Sequence, residues 1–187
     1  SRAQMSIEQK IARLKETAAR KVAEAKKVVP EQQLRLELWP DEVRGVPNAV
    51  LRGALFGVSQ ERTVHKKRTL IAAVEGYEIR FKGETFNQTD LDVLEGMLHV
   101  AMPHSLGKQV EFSVHSFLKA LGRKTSGEQH EQFKEQVTRL IGGVIEITDT
   151  KARMTFMGTL VHKAYRDEDT GRYVVIFDKD MLNLYEA

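Results

Sequence analysis

The chain has 187 residues, 41% of them apolar, with no cysteine and a formal net charge of +3. That length holds one generous domain, or one domain plus an appended arm. The composition excludes a disulfide scaffold, thiol catalysis and a zinc–cysteine site; there is no apolar run long enough to span a membrane, and a reducing cytoplasm is the expected location.

The charge is unevenly placed. Residues 1–30 hold eight Lys and Arg against three Asp and Glu, and the remainder holds twenty-one against twenty-three. Any long-range attraction to phosphate therefore comes from the arm. The rest of the chain can reach nucleic acid only through local patches.

From Met5 to Val29 the sequence is rich in Ala, Lys, Glu and Arg, without Gly or Pro before Pro30, and predicts a helix. Ile7, Ile11, Leu14, Ala18, Ala25 and Val28 follow a 4,3 spacing that Lys21 interrupts. So thin a stripe fits either a solvated helix, marginal by itself, or a short coiled coil or DNA-tracking arm. In QLRLEL (33–38), Leu34, Leu36 and Leu38 fall on one side of an extended chain, and Gln33, Arg35 and Glu37 on the other. This is either the first strand of the domain or a peptide for another protein's apolar groove, with Gln33 at the rim.

Residues 47–57 open with Pro47, put Val50, Leu51, Ala54, Leu55 and Phe56 on one helical face, and close at Gly57. A polar, basic stretch, RTVHKKR, runs from Arg62 to Arg68, and two short strands, Leu70–Val74 and Tyr77–Phe81, flank Glu75-Gly76. A helix is predicted from Asn87 to Met102. Asp90 and Asp92 in its first turn suit the dipole, while Leu91, Leu94, Met97, Leu98 and Ala101 face inward.

A short strand, VEFS, then ends at Ser113, a good N-cap for a helix carrying Phe117, Leu118 and Leu121. Gly122 stops it and RKTS makes the turn. Ser126 and Gln129 form a capping-box pattern, and the next helix carries Phe133, Val137, Leu140 and Ile141 on one face. The strand VIEIT follows. Residues 153–177 read as a hairpin of RMTFMGTLVHKAY, the turn RDEDTG and RYVVIF, after which Asp178 can cap a short helix, DMLNLY. Helix, tight turn, helix and hairpin together predict an α+β winged-helix module with an N-terminal helical arm. The expected divisions are a basic arm at 1–30, an extended linker at 31–46 and the winged-helix domain at 47–187.

Five stretches together resemble the TrfA-type plasmid replication initiators: LWPDEVRGVPNAVLRGALF (38–56), YEIRFKGE (77–84), LDVLEGML (91–98), LGKQVEFSVHSFLKALG (106–122) and YRDEDTGRYVVIFDKDMLNLY (165–185). The resemblance implies binding to repeated sites in plasmid origin DNA, recruitment of host replication proteins and no enzymatic chemistry. It also implies two winged helices in tandem, the first used for dimerisation. One hairpin is followed only by DMLNLY, so the expectation is the N-terminal half of an initiator. Such initiators carry a peptide for the bacterial sliding clamp ahead of the first winged helix, and Gln33, Leu34, Leu36 and Leu38 are similar to it. The usual aromatic near the end of that motif is replaced by Glu37-Leu38-Trp39.

The second helix of such a pair usually enters the major groove. Here the side opposite Phe133, Val137, Leu140 and Ile141 carries Glu128, Glu131, Glu135, Thr138 and Arg139, with Gln132 at its edge. Three carboxylates facing phosphate oppose binding, so this helix is expected to be a poor groove reader. Candidate phosphate contacts are Lys66, Lys67 and Arg68; Arg123 and Lys124 in the interhelix turn; Lys151 and Arg153 at the hairpin start; and Arg172. Ordinary solvated surface charge is the competing and simpler explanation for each cluster taken singly.

Enzymatic chemistry finds little support. His65, His99, His104, His115, His130 and His162 show no metal-ligand spacing, and Gly122-Arg-Lys-Thr-Ser lacks the P-loop spacing and follows a helix. No metal or cofactor is expected. Two other readings stay open: a winged-helix transcriptional regulator, and an interaction module without DNA contact.

Overall fold

The computed structural model describes residues 5–26, 48–57, 62–101, 109–178 and 180–181. In chain order these form α1 (Ile7–Lys26), α2 (Asn48–Leu55), β1 (Val64–Val74), β2 (Tyr77–Glu84), α3 (Gln88–Ala101), β3 (Gln109–Ser113), α4 (Val114–Ala120) and α5 (Gly127–Gly142). Four strands follow: β4 (Val144–Asp149), β5 (Met154–Gly158), β6 (Val161–Arg166) and β7 (Arg172–Phe177). The strands make two antiparallel sheets, one in the order β1-β2-β4-β5 and one in the order β3-β7-β6.

Helix boundaries follow local chemistry. Ser113 accepts from the Ser116 N–H to start α4, and Ser126 accepts from the Gln129 N–H to start α5. Asn87 and Asp90 cap α3 reciprocally, each side chain accepting the other's backbone N–H, at 3.0 and 3.1 Å. Each pairing satisfies an N–H that has no partner inside the helix. Asp178 likewise accepts from the Met181 N–H at 2.9 Å; the rest of the expected DMLNLY helix lies outside the described residues.

The core is shared by both sheets and the helices between them. Ile79, Phe81, Ile145 and Ile147 point inward from the four-stranded sheet; Val110, Phe112, Tyr173, Val175 and Phe177 do so from the three-stranded one. α5 supplies Phe133, Val137 and Leu140, and its packing against β2 and β6 ties the two sheets together. Phe133 makes edge contacts to Phe112, Phe117 and Tyr173, with centroids 5.1–5.7 Å apart, the geometry ring quadrupoles favour. Where α5 gives way to β4, a Cβ on Gly143 would lie 2.6 Å from Phe86 Cζ and 2.7 Å from Phe81 Cε2. Only glycine lets the chain pass there.

Four expectations need correction. β1 begins at Val64, so Lys66, Lys67 and Arg68 stand in an eleven-residue strand and not in a loop before it. The pairing Val64↔Glu84 and His65↔Gly83 anchors the start of the strand, and Lys66, Lys67 and Arg68 lie in the register shift between His65 and Thr69, held extended by paired residues on both sides. Residues 153–165 are not one arm of a hairpin, because β5 pairs with β4 and only β6 pairs with β7. The break falls at Thr159-Leu160, where the chain changes sheets and Leu160 is buried.

The arm is not simply solvated. Ile7 and Ile11 bury themselves against Val174 with Tyr165 and Ile176, on the outer face of the three-stranded sheet. Leu14, the next member of the stripe, is 58% exposed. Finally, Gln136 takes a buried place on α5, Ile141 is half-buried, and Arg139, expected on the exposed side, is drawn inward.

Candidate nucleic-acid interface

The N-terminal turn of α3 gathers three arginines. Asp90, fully buried, receives Arg139 Nη1 at 2.7 Å on one oxygen and Arg62 Nη1 at 3.0 Å on the other. Arg139 Nε also lies 3.2 Å from Glu84 Oε1, an ion pair whose angle is too poor for a hydrogen bond. Arg123 approaches the same turn from the α4–α5 connection. It donates to the Thr89 carbonyl and to Gln136 Oε1, both at 3.3 Å, with Asp92 3.8 Å away. A buried carboxylate is tolerated only when paired, and the capping N–H of Asn87 completes its shell. Sequence reading placed Asp90 at a dipole but missed this hub. The Asn-x-x-Asp spacing was the available signal.

Arg123 is thus committed to the protein's own backbone and carboxylates. Arg68 pairs with the buried Glu146 at 2.8 Å, and Arg172 with Glu111 at 3.1 Å. Both keep substantial exposure, 64% and 44% of their side chains. Lys66, Lys67, Lys124, Lys151 and Arg153 are exposed and make no ion pair among the described residues.

These cations do not converge. Lys66 and Lys67 are near the start of β1. Lys151 and Arg153 occupy the β4–β5 turn, which lies beside the β1–β2 turn through a Thr150 N–H to Gly76 carbonyl bond of 2.9 Å. The length of β1 separates the two pairs, about 25 Å at 3.3 Å per residue. Arg153 sits in the turn with φ +57°.

The exposed flank of α5 is anionic. Glu128, Glu131 and Glu135 line a groove of about 420 Å³ whose far wall includes Arg62 and Thr89. With Arg139 turned toward Asp90, Lys134 is the remaining exposed cation on that helix. The β6–β7 turn is acidic as well: Asp167, Glu168 and Asp169 stand together, Glu168 pairs with Arg166, and Asp167 accepts from the Asp169 and Thr170 N–H groups. Lys10 of α1 reaches across to Asp167 at 3.2 Å and Asp169 at 3.1 Å. The hydrogen bond to Asp169, then that to Asp167, raises the Lys10 pKa; the Asp169 backbone N–H, more than Lys10, lowers that of Asp167. Gln33, Leu34, Leu36 and Leu38 lie outside the described residues. No described helix is long and apolar enough to cross a membrane.

A family model described as TrfA protein matches residues 2–187. The chain belongs to the TrfA family. One curated relative of this TrfA-family chain is the plasmid replication initiator protein TrfA of Escherichia coli, 23% identical over 189 residues. The match takes in 91% of the chain but spans only half the length of that relative.

Two solved structures, both of domains 2 and 3 of RctB, superpose with a TM-score of 0.55. Their identities are 9% and 10%; they cover 78% and 73% of the TrfA-family chain, and 60% and 58% of the RctB chains. At that identity the likeness speaks to the fold alone, a mixed α+β arrangement with antiparallel sheets.

Proposed function

We propose that this TrfA-family chain is the winged-helix part of a cytoplasmic plasmid replication initiator that serves assembly and DNA-backbone contact, leaving base reading to a second module. Support for the winged helix comes from the path β3–α4–α5–β6–β7, in which β7 folds back between β3 and β6. The β4–β5 pair is inserted between α5 and that hairpin. Origin DNA, host replication proteins and a second copy of the chain are its partners. No enzymatic step is assigned.

One observation carries the division of labour: α5, the helix this reading assigns to a groove, presents Glu128, Glu131 and Glu135 while its inner cation, Arg139, is spent on Asp90. A groove lined with phosphate repels that flank. Backbone contact then falls to Lys66, Lys67, Lys124, Lys151 and Arg153, with Arg68 and Arg172 sharing their charge between phosphate and an internal carboxylate. Arg123 contributes through the fold.

The extended stretch with Gln33, Leu34, Leu36 and Leu38 is proposed as the sliding-clamp peptide. Titration of purified bacterial sliding clamp with the chain tests the initiator reading against a transcriptional regulator. Binding should vanish when Leu36 and Leu38 become alanine; a wild-type chain that ignores the clamp removes this part of the proposal. A mobility shift on duplex DNA at low salt tests the backbone contact, and no shift would leave a pure interaction module.

A further inference from the structure

The two outer edges of the four-stranded sheet are built differently. β1 carries Lys66, Lys67 and Arg68 exposed along one edge. Charges on an edge strand, lysines above all, oppose pairing with a newcomer that would have to desolvate them. β5, at the other edge, reads Met-Thr-Phe-Met-Gly, without a charge or a proline. Met157 is 61% exposed and Met154 36%. No strand among the described residues pairs with the outer side of β5, where every second residue turns an N–H and a C=O outward. One edge is guarded and, among the described residues, the other is open.

We propose that β5 is the edge through which two copies of this chain join, antiparallel and two-fold symmetric about Phe156. The proposal rests on the dimerisation reading above and names its surface. An isologous contact needs a self-complementary strand, and β5 supplies one. Centred on Phe156, the pairing sets Met154 opposite Gly158 and Thr155 opposite Met157. The exposed Met157 side chain is then covered by a cross-strand neighbour on the same face.

Charge placement selects this arrangement over its rivals. Lys151 and Arg153 immediately precede β5. Antiparallel pairing puts the two copies' cationic turns at opposite ends of the joined strands, about 20 Å apart at 3.3 Å per residue; salt screens charges over about 8 Å. Parallel pairing would set one turn against the other, and a strand added at the β1 edge would have to desolvate Lys66, Lys67 and Arg68. A foreign strand finds little to select it here. The hollow beside β5 on the outer sheet face is lined by Arg68, Arg80, Glu146, Thr148 and Thr155, and the Arg68–Glu146 pair already occupies it.

Sedimentation of the intact 187-residue chain across micromolar concentrations tests the proposal. The expected species has twice the chain mass of 21.3 kDa. Met157→Lys, on an exposed side chain, should raise the dimer dissociation constant at least tenfold with an unchanged circular dichroism spectrum; Thr155→Lys is the second variant should the first disturb folding. Leu70→Lys, at a side chain 49% exposed on the β1 side, should leave the dimer intact. The chain has no cysteine, so Thr155→Cys with Met157→Cys should form interchain disulfides under mild oxidation.

A monomer at every concentration overturns both the dimerisation reading and this surface. A dimer indifferent to both lysine variants on β5 overturns the surface alone. Equal disruption by Leu70→Lys means that sheet faces, not edges, meet. A chain that stays monomeric until an added strand peptide binds has a foreign occupant, and the two-fold pairing is then wrong.

Discussion

Arg139 of α5 and Asp90 of α3 face each other at 2.7 Å, and Asp90 has no exposed surface. The pair pins α5 to the start of α3 and withdraws from the outer flank of α5 a cation that could offset its glutamates. Removing the carboxylate leaves Arg139, 9% exposed, and Arg62, 29% exposed, without their shared partner. Asp90→Ala is expected to destabilise the chain by about 3–5 kcal/mol, the cost of breaking a buried pair from one side. Urea denaturation followed by circular dichroism measures it; a loss below about 1 kcal/mol would mean that water compensates the arginines.

Replacing Glu128, Glu131 and Glu135 together by alanine should leave affinity for duplex DNA unchanged or raise it. No cation is removed, so the slope of log affinity against log salt should stay the same. A sharp loss of preference for origin repeats over random duplex would mean that these carboxylates read bases, and the division of labour would fail.

Lys66→Ala and Lys67→Ala should weaken duplex binding uniformly across sequences. Each should lower the salt slope by about one, the share of a single neutralised phosphate. Arg123→Ala should behave differently. Its guanidinium holds the Thr89 carbonyl, Gln136 and Asp92, so the expected result is a lower melting temperature with little change in slope. Salt titrations of binding, run beside thermal melts, separate the two behaviours.

The docking of α1 depends on Lys10 as well as on Ile7 and Ile11. Lys10→Glu should speed amide hydrogen exchange in α1 while leaving α5 unaffected, and Asp169→Lys in the same chain should restore protection. The pH dependence follows from the shifts. Asp167 titrates below its ordinary 3.8, so its contribution is present above that value and disappears as pH falls through the lowered one. Lys10 titrates above 10.5, so its contribution is present below that value and is lost as pH rises through the raised one. Protection of α1 that varied between about pH 5 and pH 9 would contradict this origin.

Local order was legible in the residues. Ser113 and Ser126 announced their helices, Phe133, Val137 and Leu140 announced the buried face of α5, and Glu75-Gly76 marked the turn between β1 and β2. All of these are decided within a few residues, by caps, turns and periodicity. The boundary of β1 was not legible, because His65-Lys-Lys-Arg has no strand preference of its own; Val64 and His65 pair with Glu84 and Gly83, and Lys66–Arg68 bridge a register shift between that pairing and Thr69. Met154–Gly158 and Val161–Arg166 looked like one long strand, since a change of sheet takes only the two residues Thr159 and Leu160.

The sequence by itself determined which segments are helical, where they begin, and that the outward face of α5 is acidic; each depends on side chains a turn or less apart. Tertiary structure decided which charges remain available. Arg123 and Arg139 look no different from Lys124 and Arg153 in the chain, yet two are held by Asp90, Asp92 and Gln136 while two face water. The reason is distance along the chain. Arg139 meets Asp90 across 49 residues, and a contact that long exists only once the core has brought α3 and α5 together.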